Sequence, residues 1–232
     1  HYQRTSHSIT NPTDVTTEIT SSRFIMRGDG VAYGPGLDRS AAALPIAINL
    51  PEPVQPGREW TSLGFKAYLH GDRPDPIAVF DHIARVYNRF MDFDRTFASQ
   101  DEMCDMLACL SLATWFASGY TVLGYPWFTS ATPGSGKTQG GMCWLLTSYL
   151  GEYLTTGGSY AALRDLANYG ATLLFDDAES IGDKNFDPEK QALFLAGNRK
   201  GVTIPIKEKI GEVWVTKRIN AYCPRGFTAM RL

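Results

Sequence analysis

Residues 131–138 read Ala-Thr-Pro-Gly-Ser-Gly-Lys-Thr, and no other run restricts the fold of this chain as tightly. Small residues around Gly134 and Gly136 let the backbone curl until successive N–H groups converge on one point, where they bind an anion. Ahead of the run, Tyr125-Pro-Trp-Phe-Thr129 has the composition of a buried strand; behind it, Met142 to Leu150 has that of an apolar helix. A strand, a tight loop and a helix in succession aim the helix N-terminus and its partial positive charge at whatever the loop encloses. The run fits the phosphate-binding P-loop pattern G-x-x-x-x-G-K-[ST], with Ala131 in place of the first glycine. On that pattern Thr132, Pro133, Gly134, Ser135 and Gly136 cradle the phosphates, Lys137 reaches the β/γ-phosphates, and the Thr138 hydroxyl ligates Mg²⁺. The expected ligands are a nucleoside triphosphate, taken as ATP, and Mg. The alternative is an ordinary Gly/Ser/Pro turn carrying a lysine, which explains neither the Gly-Lys-Thr ending nor the flanking elements.

A second pattern follows downstream. Ala171-Thr-Leu-Leu-Phe-Asp-Asp177 is an apolar run that closes on two carboxylates, the arrangement called Walker B. Mg²⁺ demands octahedral oxygen ligation and keeps several of its waters, so a carboxylate at a strand end orients it through them. Asp176 is assigned that role. Asp177 is assigned to polarise an attacking water, and Glu179 is the reserve if the shorter side chain does not reach.

The rest of the chain divides near residue 74. The first twenty residues are Thr/Ser-rich without apolar period and are expected to form a flexible arm. In residues 21–74, Arg23–Arg27, Leu44–Leu50 and Leu63–His70 read as short strands separated by Gly/Pro turns, which gives a small β-rich module. From Asp75 onward the signals are helical and alternating. Asp75-Pro76 is an N-cap followed by Pro at the first helical position, and Phe80, Ile83, Ala84, Tyr87, Phe90 and Met91 repeat at helical spacing. Ser99-Gln-Asp-Glu102 is a capping box, with Met103, Met106, Leu107, Leu110 and Ala113 on one face of the helix it opens. Further helices are expected after Ser159 and after Asp187-Pro188, the latter stopped by Gly197. Strands alternating with helices predict a three-layer α/β domain with a mainly parallel sheet over residues 75–232.

Composition narrows the partners. A formal net charge of −2 excludes a generally basic nucleic-acid binder, so any such contact is local. Cys104, Cys109, Cys143 and Cys223 lack metal-site spacing and read as reduced thiols of a cytoplasmic protein. The apolar stretch Met103 to Tyr120 is interrupted by Asp105 and reads as a core helix, so no membrane span is expected.

Beyond Walker B, Val202–Ile206 and Glu212–Ile219 read as two strands with Lys207-Glu-Lys-Ile-Gly211 as the turn between them, and Pro205 restricts the first strand to an edge. Lys207 and Lys209 then either grip a phosphate backbone or are ordinary lysines of a solvated turn. Arg199 is a further candidate for contacting DNA or sensing nucleotide.

With these residues in view, residues 75–232 resemble the helicase-like P-loop domain of phage, plasmid and integrated-element replication proteins, an AAA+ or superfamily-three-like ATPase often associated with a primase. The resemblance rests on Phe128–Thr138, Leu173–Glu179, Leu195-Ala-Gly-Asn-Arg-Lys-Gly201 and Tyr222–Ala229, in that order. It implies a homo-oligomeric ring that hydrolyses ATP to unwind or translocate single-stranded or forked DNA during mobile-element replication. It also implies that Thr228 is a polar sensor beside the γ-phosphate and that the hairpin lysines face the pore. Asp177 departs from the usual Glu, which would slow hydrolysis. The family carries an arginine finger further on than Leu232, and Arg218, Arg225 and Arg231 do not stand at its place, so the domain is expected to be truncated or to take its finger from a partner chain. Two rival readings remain: a slow ATP-gated DNA-binding or assembly switch, and a P-loop phosphotransferase acting on a small molecule.

Overall fold

Four short strands, Trp127–Thr129 (β5), Gly151–Leu154 (β6), Thr172–Phe175 (β7) and Arg225–Ala229 (β10), lie side by side in the order β5-β10-β7-β6, and every adjacent pair is parallel. They belong to the unit 75–232 of a computed structural model, which describes residues 2–11, 14–22, 25–26, 31–33, 62–155, 159–182 and 187–230. Parallel neighbours need crossover connections, and the helices supply them. Pro76–Phe90 (α2), Gln100–Trp115 (α3), Lys137–Thr147 (α4), Tyr160–Tyr169 (α5) and Pro188–Ala196 (α6) pack onto the two faces of the sheet.

Side chains alternate across the sheet, as strand geometry requires. Leu173, Phe175 and Phe227 join Leu163 and Ala167 of α5 and Leu193 and Phe194 of α6 in one core. Leu174 points the other way, into a second core with Cys143, Trp144 and Leu145 of α4, Leu107 of α3 and Tyr87 of α2. The result is α/β architecture with helices on both faces of an all-parallel sheet. Arg225, at the start of β10, is fully buried. Its guanidinium donates to the carbonyls of Leu193, Phe194 (2.9 Å) and Ala221 (2.6 Å). Its charge therefore meets the C-terminal end of α6, where the helix dipole is negative.

The helix starts follow their caps. Asp75 accepts from Ile77 N–H, Ser99 and Glu102 form the reciprocal capping box, Ser159 accepts from Ala162 N–H, and Asp187 accepts from Glu189 N–H. The buried face of α3 differs from the expected one. Cys104, Leu107, Ala108, Ser111 and Thr114 are buried while Met106 is exposed, because Ser111 is drawn inward by hydrogen bonds with Tyr87 (2.7 Å) and Thr147 (2.9 Å). All four cysteines are free thiols, and among the described residues no helix is long and apolar enough to cross a membrane.

By its internal contacts the chain separates into residues 1–74 and 75–232. In the first unit Tyr2–Asn11 (β1) pairs antiparallel with Asp14–Ser22 (β2), so the backbone of the expected arm is strand-paired. The many β-branched threonines favour an extended chain without needing an apolar face. Ile25–Met26 (β3) pairs with Ala32–Tyr33 (β4), within the expected strand Arg23–Arg27. Leu63–His70, expected as a strand, is the helix Ser62–Leu69 (α1): its period-two alternation is overridden by local bonds such as His70 N–H to Lys66 O (3.0 Å). The expected strand Leu44–Leu50 lies outside the described residues.

Candidate functional site

The glycine loop joins the C-terminal end of β5 to α4. Gly134 (φ 73°) and Gly136 (φ 87°) both occupy the left-handed region that side chains disfavour. The turn at Gly136 lets α4 begin at Lys137, several residues before the expected start at Met142, and no side chain caps its first turn. The opening N–H groups of the helix thus face the loop. Lys137 folds back over it, Nζ donating to Thr132 O (3.1 Å) and Ser135 Oγ (3.5 Å). Close packing below keeps the helix in place. A Cβ on Gly141 would meet Thr228 Cγ2 at 2.9 Å and Leu174 at 3.0 Å, so only glycine lets α4 approach β10 and β7 this closely.

Three hydroxyls converge on the carboxylate of Asp176, the residue that follows β7. Thr138 Oγ1 donates to Oδ1 (3.1 Å), Thr228 Oγ1 donates to the same oxygen, and Tyr153 Oη donates to Oδ2. The strand order explains the meeting. With β10 between β5 and β7, Thr228 pairs in register with Phe128 on one side and lies one residue past the Phe227–Phe175 pair on the other. Burial pushes the Asp176 carboxyl up, but the hydrogen bonds from Thr228, Tyr153 and Thr138 together outweigh it and hold the group below the ordinary carboxylate range. Tyr153 responds oppositely: the bond to Asp176, then burial and the nearby carboxylates, push its phenol up to about 12.

Asp177 turns sharply away, with φ at 55°, and its backbone N–H donates to Thr228 Oγ1 (3.3 Å) while its side chain is exposed. Glu179 sits on the short 3-10 turn Ala178–Gly182, where its carboxylate accepts the backbone N–H of Met230. Thr132, Pro133, Gly134, Ser135, Gly136, Lys137, Thr138, Asp176, Asp177 and Thr228 therefore gather at one end of the sheet. Tyr153 joins them without having been anticipated. The four-residue strand β6 carries no legible pattern, and α5 separates it in sequence from the Ala171–Asp177 run.

The basic candidates lie elsewhere. Thr203–Ile210 (β8) and Val213–Asn220 (β9) form an antiparallel ribbon, and Asn220 N–H at its root donates to Asn168 Oδ1 (3.1 Å) near the end of α5. Its root therefore lies where the sheet strands begin, at the end opposite the glycine loop. The expected turn Lys207–Gly211 is shorter than predicted, because pairing continues to Ile210 with Val213. Lys207 faces Thr216 and Lys209 faces Trp214, so both lysines lie within a strand, on one exposed face. Trp214 (63% exposed) and Arg218 share that face, which carries no carboxylate from either strand. Lys209 also pairs with Glu212 in the turn (3.4 Å). Arg199 is exposed and bridges to Val122, ahead of β5, and so is not brought to the glycine loop. Arg225 is buried in its own chain, Arg218 lies on the ribbon, and Arg231 is outside the described residues.

Thr138 and Asp176 are the residues that could hold a hard divalent cation such as Mg²⁺. A carboxylate and a threonine hydroxyl on one oxygen-rich edge suit an ion that keeps several waters, whereas among the described residues no three His, Cys, Asp or Glu side chains gather as a cage. No family model matches this sequence, and no curated protein matches it.

Proposed function

We propose that residues 75–232 form a P-loop ATPase whose hydrolysis is coupled to DNA, as in a helicase or translocase acting in mobile-element replication. The observation that carries the reading is the Thr138–Asp176 hydrogen bond, which joins the end of the Gly-Ser-Gly-Lys-Thr loop to the strand-end carboxylate. Two sequence patterns read separately thus share one site, with Thr228 between them.

In this reading the loop amides and the first turn of α4 hold the phosphates of ATP, and Lys137 leaves its bonds to Thr132 and Ser135 to neutralise the β/γ-phosphates. Mg²⁺, when bound by Thr138 and Asp176, would neutralise charge developing on the phosphates. Asp177 accepts a proton from the attacking water, and Thr228 orients the γ-phosphate side of the site. Lys207 and Lys209 meet a phosphate backbone, with Trp214 and Arg218 beside them, and Arg199 serves a second DNA contact. A ring of copies, or a partner replication protein, supplies the arginine finger.

The exposed Asp177 in place of the longer Glu favours a second reading, a slow ATP-gated DNA-binding switch. ATP hydrolysis measured alone, with single-stranded DNA and with duplex separates the readings. The proposal expects turnover that DNA raises at least about tenfold. DNA binding with negligible turnover gives the switch, and phosphate transfer to a metabolite gives a phosphotransferase; either result overturns the motor.

A further inference from the structure

Asp176 is held from two sides, and only one side belongs to the patterns already described. Thr138 and Thr228 occupy Oδ1; the donor on Oδ2 is Tyr153, from a strand outside both motifs. A carboxylate held on one oxygen alone can turn about its last torsion and exchange its two oxygens, because that torsion is broad and roughly two-fold. A donor on the second oxygen removes that freedom. The backbone beneath is fixed as well: β6 and β7 pair in register at Tyr153 with Leu174 and at Leu154 with Phe175, and Asp176 N–H donates to Leu154 O (2.9 Å). Tyr153 itself is 41% exposed, so packing alone does not account for its orientation.

We infer that Tyr153 is a positioning residue for the divalent-cation site, holding Asp176 Oδ2 so that Oδ1 stays turned toward Thr138. The inference rests on the reading of Thr138 and Asp176 as Mg²⁺ ligands. Partners that orient a ligating carboxylate affect metal affinity by about 10- to 100-fold when removed. Phosphate contacts made by the loop amides and Lys137 do not pass through Tyr153, so nucleotide affinity without metal is independent of it.

The test is the binding of a non-hydrolysable ATP analogue to the whole chain over a Mg²⁺ series that includes chelator, for wild type and Tyr153→Phe. The phenylalanine keeps the ring and removes only the hydroxyl. The expected result is a half-saturating Mg²⁺ concentration at least about tenfold higher in Tyr153→Phe, with the same affinity in chelator and the same melting temperature. In the Asp176→Asn background, Tyr153→Phe should change nothing further, since both substitutions act on one contact. A Mg²⁺ midpoint unchanged by Tyr153→Phe, when wild type binds the analogue in a Mg²⁺-dependent way, overturns this inference alone. An equal loss of affinity at every Mg²⁺ concentration, or an additive effect beside Asp176→Asn, overturns it too by making Tyr153 a general structural support. Wild-type binding that ignores Mg²⁺ overturns the metal-site reading and this inference together.

Discussion

Asp177 and Glu179 stand two residues apart, yet their surroundings differ. The left-handed backbone at Asp177 is a conformation that Asp and Asn tolerate far better than branched residues do. That makes Asn the informative substitution, because it preserves the turn and removes only the basic carboxylate. Asp177→Asn should fold, bind ATP and lose hydrolysis by about 10²- to 10⁴-fold, read as single-turnover phosphate release. Glu179 is tied to the backbone of Met230, a structural contact that a glutamine still makes in weaker form. Glu179→Gln should therefore keep most of the rate. The reverse pattern, with Glu179→Gln inactive and Asp177→Asn near wild type, would reassign the base. Asp176 was legible because a carboxylate ends an apolar strand. Tyr153 was not, since its role depends on which strand lies next to β7, and sequence order does not give spatial order.

The ribbon β8–β9 illustrates what an element adds to its residues. Its lysines were readable as a same-side pair from their spacing of two, but Trp214 and Arg218 join them only once the register is known. Pairing carried through to Ile210 and Val213 moves the turn to Gly211 and Glu212, and that shift decides which side chains share a face. Other elements show the same division. Caps at Asp75, Ser99, Ser159 and Asp187 were local chemistry and located helix starts, whereas α1 imitated a strand and the buried face of α3 was set by Ser111, a polar residue. If the basic face meets DNA, replacing Lys207 and Lys209 with Ala should weaken binding across sequences and lower the salt slope by about one unit per lost phosphate contact. Basal ATPase activity without DNA should persist. Unchanged affinity over a salt series would remove the ribbon from the DNA interface.

Over the whole of residues 75–232, the length of the sheet separates the glycine loop from the root of the ribbon. Parallel strands bring the glycine loop, Asp176, Asp177 and Thr228 to the end where strands finish, and β10 between β5 and β7 is what lets Thr228 touch Asp176. The ribbon root, Arg199 and the buried Arg225 lie where strands begin. In the proposed motor, coupling between ATP and DNA would pass along β7, β10 and the helices packed on them. Everything depends on the loop holding a triphosphate. The most direct measurement is ATP affinity and ATPase rate for wild type beside Lys137→Ala, in the presence of Mg²⁺. The hydrogen bonds of Lys137 Nζ run to Thr132 O and Ser135 Oγ in its own loop, so its removal should spare the fold. The account predicts saturable ATP binding and turnover in wild type, with turnover lost and affinity sharply reduced in Lys137→Ala at unchanged melting temperature. Equal binding and equal rates in the two proteins would contradict it.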